Sequence, residues 1–231
     1  MRASSDRDVF VIVRAFNEAP TLAGVLKDLL GAGYSVVVVD DGSSDATPQA
    51  ARAFPVLYVR HPINLGPGAA LQTGLTAALR AGARFIVTFD ADGQHALADI
   101  PHCLAPLRGG EADFVSGSRF LRRQDRRRVP LPRRLLLLGA VAVNGLLTGC
   151  WLSDAHNGLR ALTREAAECI RLREPTFAYA SELLAEIRRH GLRLVEVPAT
   201  VTYTKRSLAK GQRSWNAINV VLDYLAGKVL R

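Results

Sequence analysis

Apolar positions in this chain come in short unbroken bursts, separated by stretches in which they recur at helical spacing. Val9 to Val13 is the first burst and reads as a buried strand. Asn17-Glu18-Ala19-Pro20-Thr21 then opens a helix through Leu30, with Leu22, Val25, Leu26, Leu29 and Leu30 on one face and Gly31 and Gly33 to stop it. Val36 to Val39 is a second strand and runs into Asp40-Asp41-Gly42-Ser43-Ser44-Asp45, where Ser44 or Asp45 is placed to cap a helix over 46–53. Val56 to Val59 is a third strand. It leads through Asn64-Leu65-Gly66-Pro67-Gly68-Ala69-Ala70 into an alanine-rich helix to about Ala81. Phe85 to Phe89 is a fourth strand, followed by a helix near Leu97 to Leu107 and a strand from Phe114 to Ser116.

Strands alternating with helices predict βαβ units, hence an α/β fold with a mostly parallel central sheet and helices on both faces. The later half is less regular. It holds a long apolar helix, a short strand around Leu159 to Leu162, a helix from Ala180 to His190 and a strand from Leu194 to Val197. Lys205 to Ser214 is polar. An amphipathic helix over about 214–230 closes the chain, with Trp215, Ile218, Val221, Leu222, Leu225 and Val229 on one side. No repeat or low-complexity linker interrupts the pattern, so 1–231 is expected to be one domain with its core at about 8–204.

Composition agrees with a packed core: 48% of the 231 residues are apolar. Charge changes the picture more. The net charge is +9, and eight arginines lie between Arg119 and Arg134 against one acid, Asp125. Such a run is either a solvated loop or a surface for an anionic partner. It lacks the interleaved aromatics or recognition helix of a nucleic-acid binder, so no nucleic-acid partner is expected. The apolar stretch Leu135 to Leu152 is short for a membrane span, and Asn144, three glycines and the polar residues after it favour a buried or interfacial helix. Cys103, Cys150 and Cys169 have no metal or redox spacing, and the N-terminus has no apolar leader core. A cytoplasmic protein, peripheral on the membrane's cytoplasmic face, is the expectation.

The candidate chemistry sits where strands end. Phe89-Asp90-Ala91-Asp92-Gly93-Gln94-His95 sets two carboxylates one residue apart just past an apolar strand. Ligands of open α/β sheets gather at that edge, and carboxylates, waters and substrate phosphates are what a magnesium-like ion takes. Asn17-Glu18 and Asp40-Asp41 end two other strands of the same sheet and are placed to grip a nucleoside, with Asp41 suited to accept from a base or ribose. Asp40-Asp41-Gly42-Ser43 also reads as a turn and helix cap. The Asn64, Gly66 and Gly68 segment is either a tight turn or a loop whose amides approach phosphate. His95 is a metal ligand or a helix-start residue. Asp154 is a base for a hydroxyl acceptor, an N-cap, or a partner for Arg160. Glu182 reads as an ion-paired or solvated helix residue.

Six motifs stand in order: Val-Arg-Ala-Phe-Asn-Glu at 13–18, Val-Asp-Asp-Gly-Ser-Ser-Asp at 39–45, Asn-Leu-Gly-Pro-Gly-Ala-Ala at 64–70, Asp-Ala-Asp-Gly-Gln-His at 90–95, Gly-Ser-Arg at 117–119 and Asp-Ala-His-Asn-Gly-Leu-Arg at 154–160. Together they resemble a family 2 glycosyltransferase of the Rossmann-like GT-A fold, close to dolichyl-phosphate mannosyltransferases and bacterial polyprenyl-phosphate glycosyltransferases. The resemblance covers about 8–204. It implies a metal-dependent, inverting transfer from a nucleoside diphosphate sugar of the GDP-mannose or UDP-glucose type to a polyprenyl phosphate. The alternative within the family is a sugar or other hydroxyl acceptor. The resemblance further implies nucleotide contact at Asp41, Mg²⁺ or Mn²⁺ at Asp90, Asp92 and Gln94, and acceptor phosphate at Arg119, with Arg206 or Arg213 assisting. Arg14 stands where such proteins often have proline. The transmembrane tail of some relatives is not seen, so membrane contact is expected to be peripheral.

Overall fold

The computed structural model of the chain describes residues 8–129, 131–154 and 157–202. Strands β1 (Val9–Ala15), β2 (Ser35–Asp40), β3 (Leu57–Arg60), β4 (Phe85–Asp90), β5 (Phe114–Ser118), β6 (Arg160–Thr163) and β7 (Leu194–Pro198) form one sheet, in the order β3-β2-β1-β4-β6-β5-β7. Every pairing is parallel except those of β6, which runs against both β4 and β5. The helices are α1 (Ala19–Gly31), α2 (Thr47–Arg52), α3 (Pro67–Arg80), α4 (Ile100–Arg108), α5 (Arg123–Arg128), α6 (Leu131–Thr148), α7 (Arg164–Cys169) and α8 (Tyr179–Arg189).

Period-two alternation on the central strands divides the core. Val9, Val11, Val13, Val36, Val38 and Val87 face one apolar layer with α1 and α4. Ile12, Val37, Val39 and Ile86 face the other with α3 and α8. Both faces are covered, which is why these strands read as continuous apolar runs. Helix α3 lies so close to β1 that a Cβ at Gly74 would come within 2.4 Å of Ile12 Cγ2. Replacing Gly74 by Val is therefore expected to destabilise the protein by about 1–3 kcal/mol through overpacking. A fall in the urea midpoint at unchanged m-value checks this, and an unshifted midpoint would contradict the close approach.

Three elements differ from the expectation. The long apolar helix starts at Leu131 and ends at Thr148, rather than spanning 135–152. Gly149 takes a left-handed φ of 70° just beyond it, which ends a helix, and Leu152 drops into the core. Among the described residues no helix is long and apolar enough to cross a membrane. The arginine run is not wholly loop: it carries α5, with Asp125 buried beneath and within 3.4 Å of the Thr200 hydroxyl. Short α7 escaped the pattern because it has barely two turns. The Thr163 side chain caps it by accepting from the Ala166 amide. The C-terminal helix over 214–230 falls outside the described residues.

Candidate active site at the carboxyl edge of the sheet

The chain moves outward from β1 to β2 and β3, then crosses to β4 on the other side of β1. In open α/β sheets ligands bind outside such a reversal, here at the carboxyl ends of β1 and β4. Asn17, Asp40, Asp41, Asp90 and Asp92 all come to this edge.

Asn17 adopts a positive φ of 56°, the only described non-glycine residue to do so. Asparagine tolerates that region because its short amide bonds locally. Here its Oδ1 accepts from the amides of Ser44 at 2.9 Å and Asp45 at 3.3 Å, while its own amide donates to Ser43 Oγ at 3.0 Å. The Glu18 amide donates to Thr47 Oγ1 at 2.8 Å. Asn17 and Glu18 thereby fasten the loop after β1 to the loop after β2. Neither expected capping residue takes the N-cap position, which is Ala46 without a side-chain cap; Asp45 Oδ1 instead accepts from the Thr47 amide at 2.9 Å just before the helix.

Asp40 and Asp41 are both buried. Asp40 accepts from the Ser43 amide at 2.9 Å and from the Tyr58 hydroxyl at 2.7 Å. Burial, and then this bond, push the Tyr58 hydroxyl up to about 12. Asp41 accepts from the amides of Leu65 and Gly66, both at 2.9 Å, and pairs with His61 Nδ1 at 2.7 Å. His61 Nε2 reaches Thr73 Oγ1 at 3.0 Å. The amide of Gly68 donates to the Pro175 carbonyl at 2.9 Å. The amides of Leu65, Gly66 and Gly68 are thus engaged within the protein. Their glycines are explained by close approach: a Cβ at Gly66 would lie 2.3 Å from the Pro175 carbonyl oxygen, and Gly68 abuts Glu174 more tightly still. Asn64 is exposed.

At the end of β4 the two carboxylates have unlike surroundings. The Arg14 guanidinium donates to Asp90 Oδ1 at 2.5 Å and to the Tyr179 hydroxyl at 2.7 Å. His95 Nε2 lies 3.2 Å from Asp90 Oδ2, and its Nδ1 is buried without a partner. Burial alone would push the Asp90 carboxyl up, but Arg14 and then His95 outweigh it and hold the group well below the usual carboxylate range. Burial likewise works against the Arg14 charge, and Tyr179 and Asp90 more than restore it. Asp92 accepts from the Gln94 amide at 3.0 Å and from the Gln94 side-chain amide. Gln94 is thus turned to Asp92 through its NH₂ group. No group of three His, Cys, Asp or Glu side chains converges here among the described residues. Two neighbouring carboxylates fit a Mg²⁺- or Mn²⁺-type ion that keeps waters and substrate phosphates as its other ligands.

At the carboxyl end of β5, Arg119 is buried against Asp154. Its Nε and Nη2 donate to the two carboxylate oxygens at 2.6 and 2.7 Å, and its amide donates to Oδ2 at 3.1 Å. Glu196 on β7 braces this pair, accepting from the Asp154 amide at 3.2 Å and the Ser153 hydroxyl at 2.9 Å. Asp154 is thus fixed as the bidentate partner of Arg119, which leaves it poorly disposed to act as a base. Glu182 accepts from the backbone amides of Arg173 and Glu174. Arg206 and Arg213 lie outside the described residues.

Comparison with known proteins now decides the family. Residues 10–171 match the sequence profile of glycosyl transferase family 2. The chain belongs to glycosyl transferase family 2. A UDP-N-acetylglucosamine–dolichyl-phosphate N-acetylglucosaminyltransferase of Methanococcus voltae is 31% identical, over 90% of this chain and 90% of that protein. The polyprenol monophosphomannose synthase of Mycolicibacterium smegmatis is 31% identical, over 94% of this chain and 84% of that one. Among solved structures, Mycobacterium tuberculosis glucosyl-3-phosphoglycerate synthase superposes with a TM-score of 0.65 at 26% identity, covering 94% of this chain and 80% of that one. This family 2 transferase is therefore a glycosyltransferase with a GT-A fold.

Sequence reasoning passed over four residues of the transferase's carboxyl edge: Arg14 as a site residue, His61, Tyr179 and Glu196. Arg14 had a visible signal, a lone cation closing an otherwise apolar strand. The others had none, because each acquires its role through partners between 12 and 165 positions away.

Proposed function

We propose that this transferase moves a sugar from a nucleoside diphosphate sugar to a polyprenyl phosphate with inversion at the anomeric carbon. One observation carries the reading. The acidic pair of 90 and 92 stands at the switch-point edge in a chain whose relatives, matched over about nine-tenths of its length, include a dolichyl-phosphate N-acetylglucosaminyltransferase and a polyprenol monophosphomannose synthase. The donor diphosphate is held at the acidic pair, and the nucleoside rests near the fastened loops of Asn17 and Asp41. A bound Mg²⁺ or Mn²⁺ would supply Lewis-acid stabilisation of charge on the departing diphosphate. The acceptor phosphate, with a second pKa near 6, is largely ionised at neutral pH and needs positioning more than a base. Arg119 is the residue that the family resemblance assigns to that task, and it would act by the charge of its guanidinium, because Asp154 already holds the Nε–Nη2 fork. Asp154 holds Arg119 in place, which disfavours the alternative of a hydroxyl acceptor with Asp154 as its base.

The test is a donor screen with purified protein, dolichyl or undecaprenyl phosphate and Mg²⁺ or Mn²⁺, read by the mass of the lipid product. A sugar–phosphate–lipid mass from one nucleotide sugar is the expected result. Transfer to a hydroxyl acceptor, with none to either lipid phosphate, would overturn the acceptor assignment.

The same reading expects a peripheral membrane position. Arg123, Arg126 and Arg127 on α5 are exposed, as are Leu121 before it and Leu131, Leu138 and Leu146 on α6. Binding to anionic vesicles is expected to fall as salt rises, and to weaken when the three arginines are changed to Gln. Co-sedimentation measures both, and salt-insensitive binding would assign the attraction to the leucines alone.

A further inference from the structure

Arg14 is a largely enclosed cation at the donor edge, on the same Tyr179 ring as the buried Arg160. Register places it beside Asp90 across the β1–β4 pair. Its side chain is only 12% exposed. Beyond its bonds to Asp90 and Tyr179, it lies 3.5 Å from the carbonyl of Pro67, and its guanidinium stands 5.3 Å from the centre of the Tyr179 ring. Pro67 opens α3 and Tyr179 opens α8. One side chain thus joins the starts of two helices to the end of β4. Asp90 has this full positive charge 2.5 Å from one oxygen, with His95 on the other. Asp92 has no cation against it among the described residues, and its bonds come from Gln94 within its own loop.

We propose that Arg14 is a built-in counter-cation of the donor site, which neutralises and orients Asp90 and leaves Asp92 as the carboxylate that takes the divalent ion together with the diphosphate. The inference rests on the donor reading above and divides its acidic pair into two unequal roles. A buried charge that keeps its partner adds little net field, whereas one stripped of its partner adds a full charge. A divalent ion is then the largest local charge in the site and responds to whatever charge lies beside it. Arg14 is a positioning residue: it sets the charge and geometry that the ion and diphosphate meet.

Binding distinguishes the roles without any turnover. Mn²⁺ affinity is measured by the loss of the free-ion electron paramagnetic resonance signal, in the presence of GDP or UDP, with thermal melts to confirm folding. Asp92→Asn is expected to weaken Mn²⁺ at least tenfold. Arg14→Met, leaving Asp90 with only His95 against it, is expected to tighten it about tenfold, and Arg14→Lys to restore the wild-type value. The double variant Arg14→Met with Asp90→Asn exchanges one neutral pair for another and is expected to stay within about threefold of wild type. Because it leaves no lone charge, it carries the test even should Arg14→Met fail to fold. Loss of Mn²⁺ by the double variant as complete as that of Asp92→Asn would make Asp90 a ligand and overturn the inference. Unchanged affinity in a folded Arg14→Met would also overturn it. Absence of any Mn²⁺ binding to the wild-type chain with either nucleotide would instead remove the metal-assisted donor reading, and this inference with it.

Discussion

Changing Asp92 to Asn is expected to lower metal-dependent turnover of the sugar donor by about a hundred- to a thousandfold, the size of effect seen when one oriented stabiliser of transition-state charge is removed. The argument begins with the loop. Asp92 follows the last residue of β4 by two positions and is half-buried, and both of its bonds come from Gln94. Asparagine keeps an oxygen for the Gln94 amide, so the turn survives and the thermal midpoint should move little. What is lost is the formal charge that the proposed cation would meet. Donor turnover at saturating substrate with Mg²⁺ or Mn²⁺, together with a thermal melt, checks both halves. Wild-type turnover in a folded variant would remove the metal role from this carboxylate.

The second large effect concerns the buried pair at the end of β5. Changing Asp154 to Ala removes the carboxylate that clasps both ends of the Arg119 fork, a charge only 5% exposed. Breaking such a pair from one side costs about 3–5 kcal/mol, which in a domain of this size is a drop in Tm on the order of 10 °C. Removing both charges, with Arg119→Met and Asp154→Leu, is expected to recover most of that stability, because no unpaired charge is left. Activity separates structure from function here: it should stay lost in the stable double variant, since the acceptor phosphate then has no guanidinium to meet. A double variant that both folds and transfers sugar at the wild-type rate would reduce Arg119 to a structural part.

The sheet was legible because its buried strands are unbroken apolar runs, and Val36 to Val39 and Phe85 to Phe89 needed no context to be read. Helix ends were harder. The long apolar helix was displaced by four residues at its start and its end, since apolar content alone does not say which residues wind and which pass into the core. At Gly149 a left-handed turn ends the helix while the apolar run continues to Leu152. The candidate site was legible as a set of loops, but not as a set of partnerships. Asp41 reads as an acceptor aimed outward, yet in the fold its oxygens meet Leu65, Gly66 and His61. Asp90 and Asp92 look equivalent in a line of letters. Only the pairing of β1 with β4 sets an arginine against one of them. Asp154 similarly gained its partner from a segment 35 positions earlier.

The reversed strand has a consequence for redesign. Because β6 enters the sheet in the opposite sense, its beginning, not its end, arrives at the carboxyl edge of the sheet, with Arg160 opposite Thr88. The residues just before it serve two masters: Asp154 clasps Arg119, while Gly158 sits so close to Asp90 that even a methyl group there would collide with the carboxylate. An insertion in this short connector would disturb the surroundings of both Arg119 and Asp90 at once. Insertions have more room at the exposed residues Leu121, Arg123 and Gln124, which touch neither of these carboxylates.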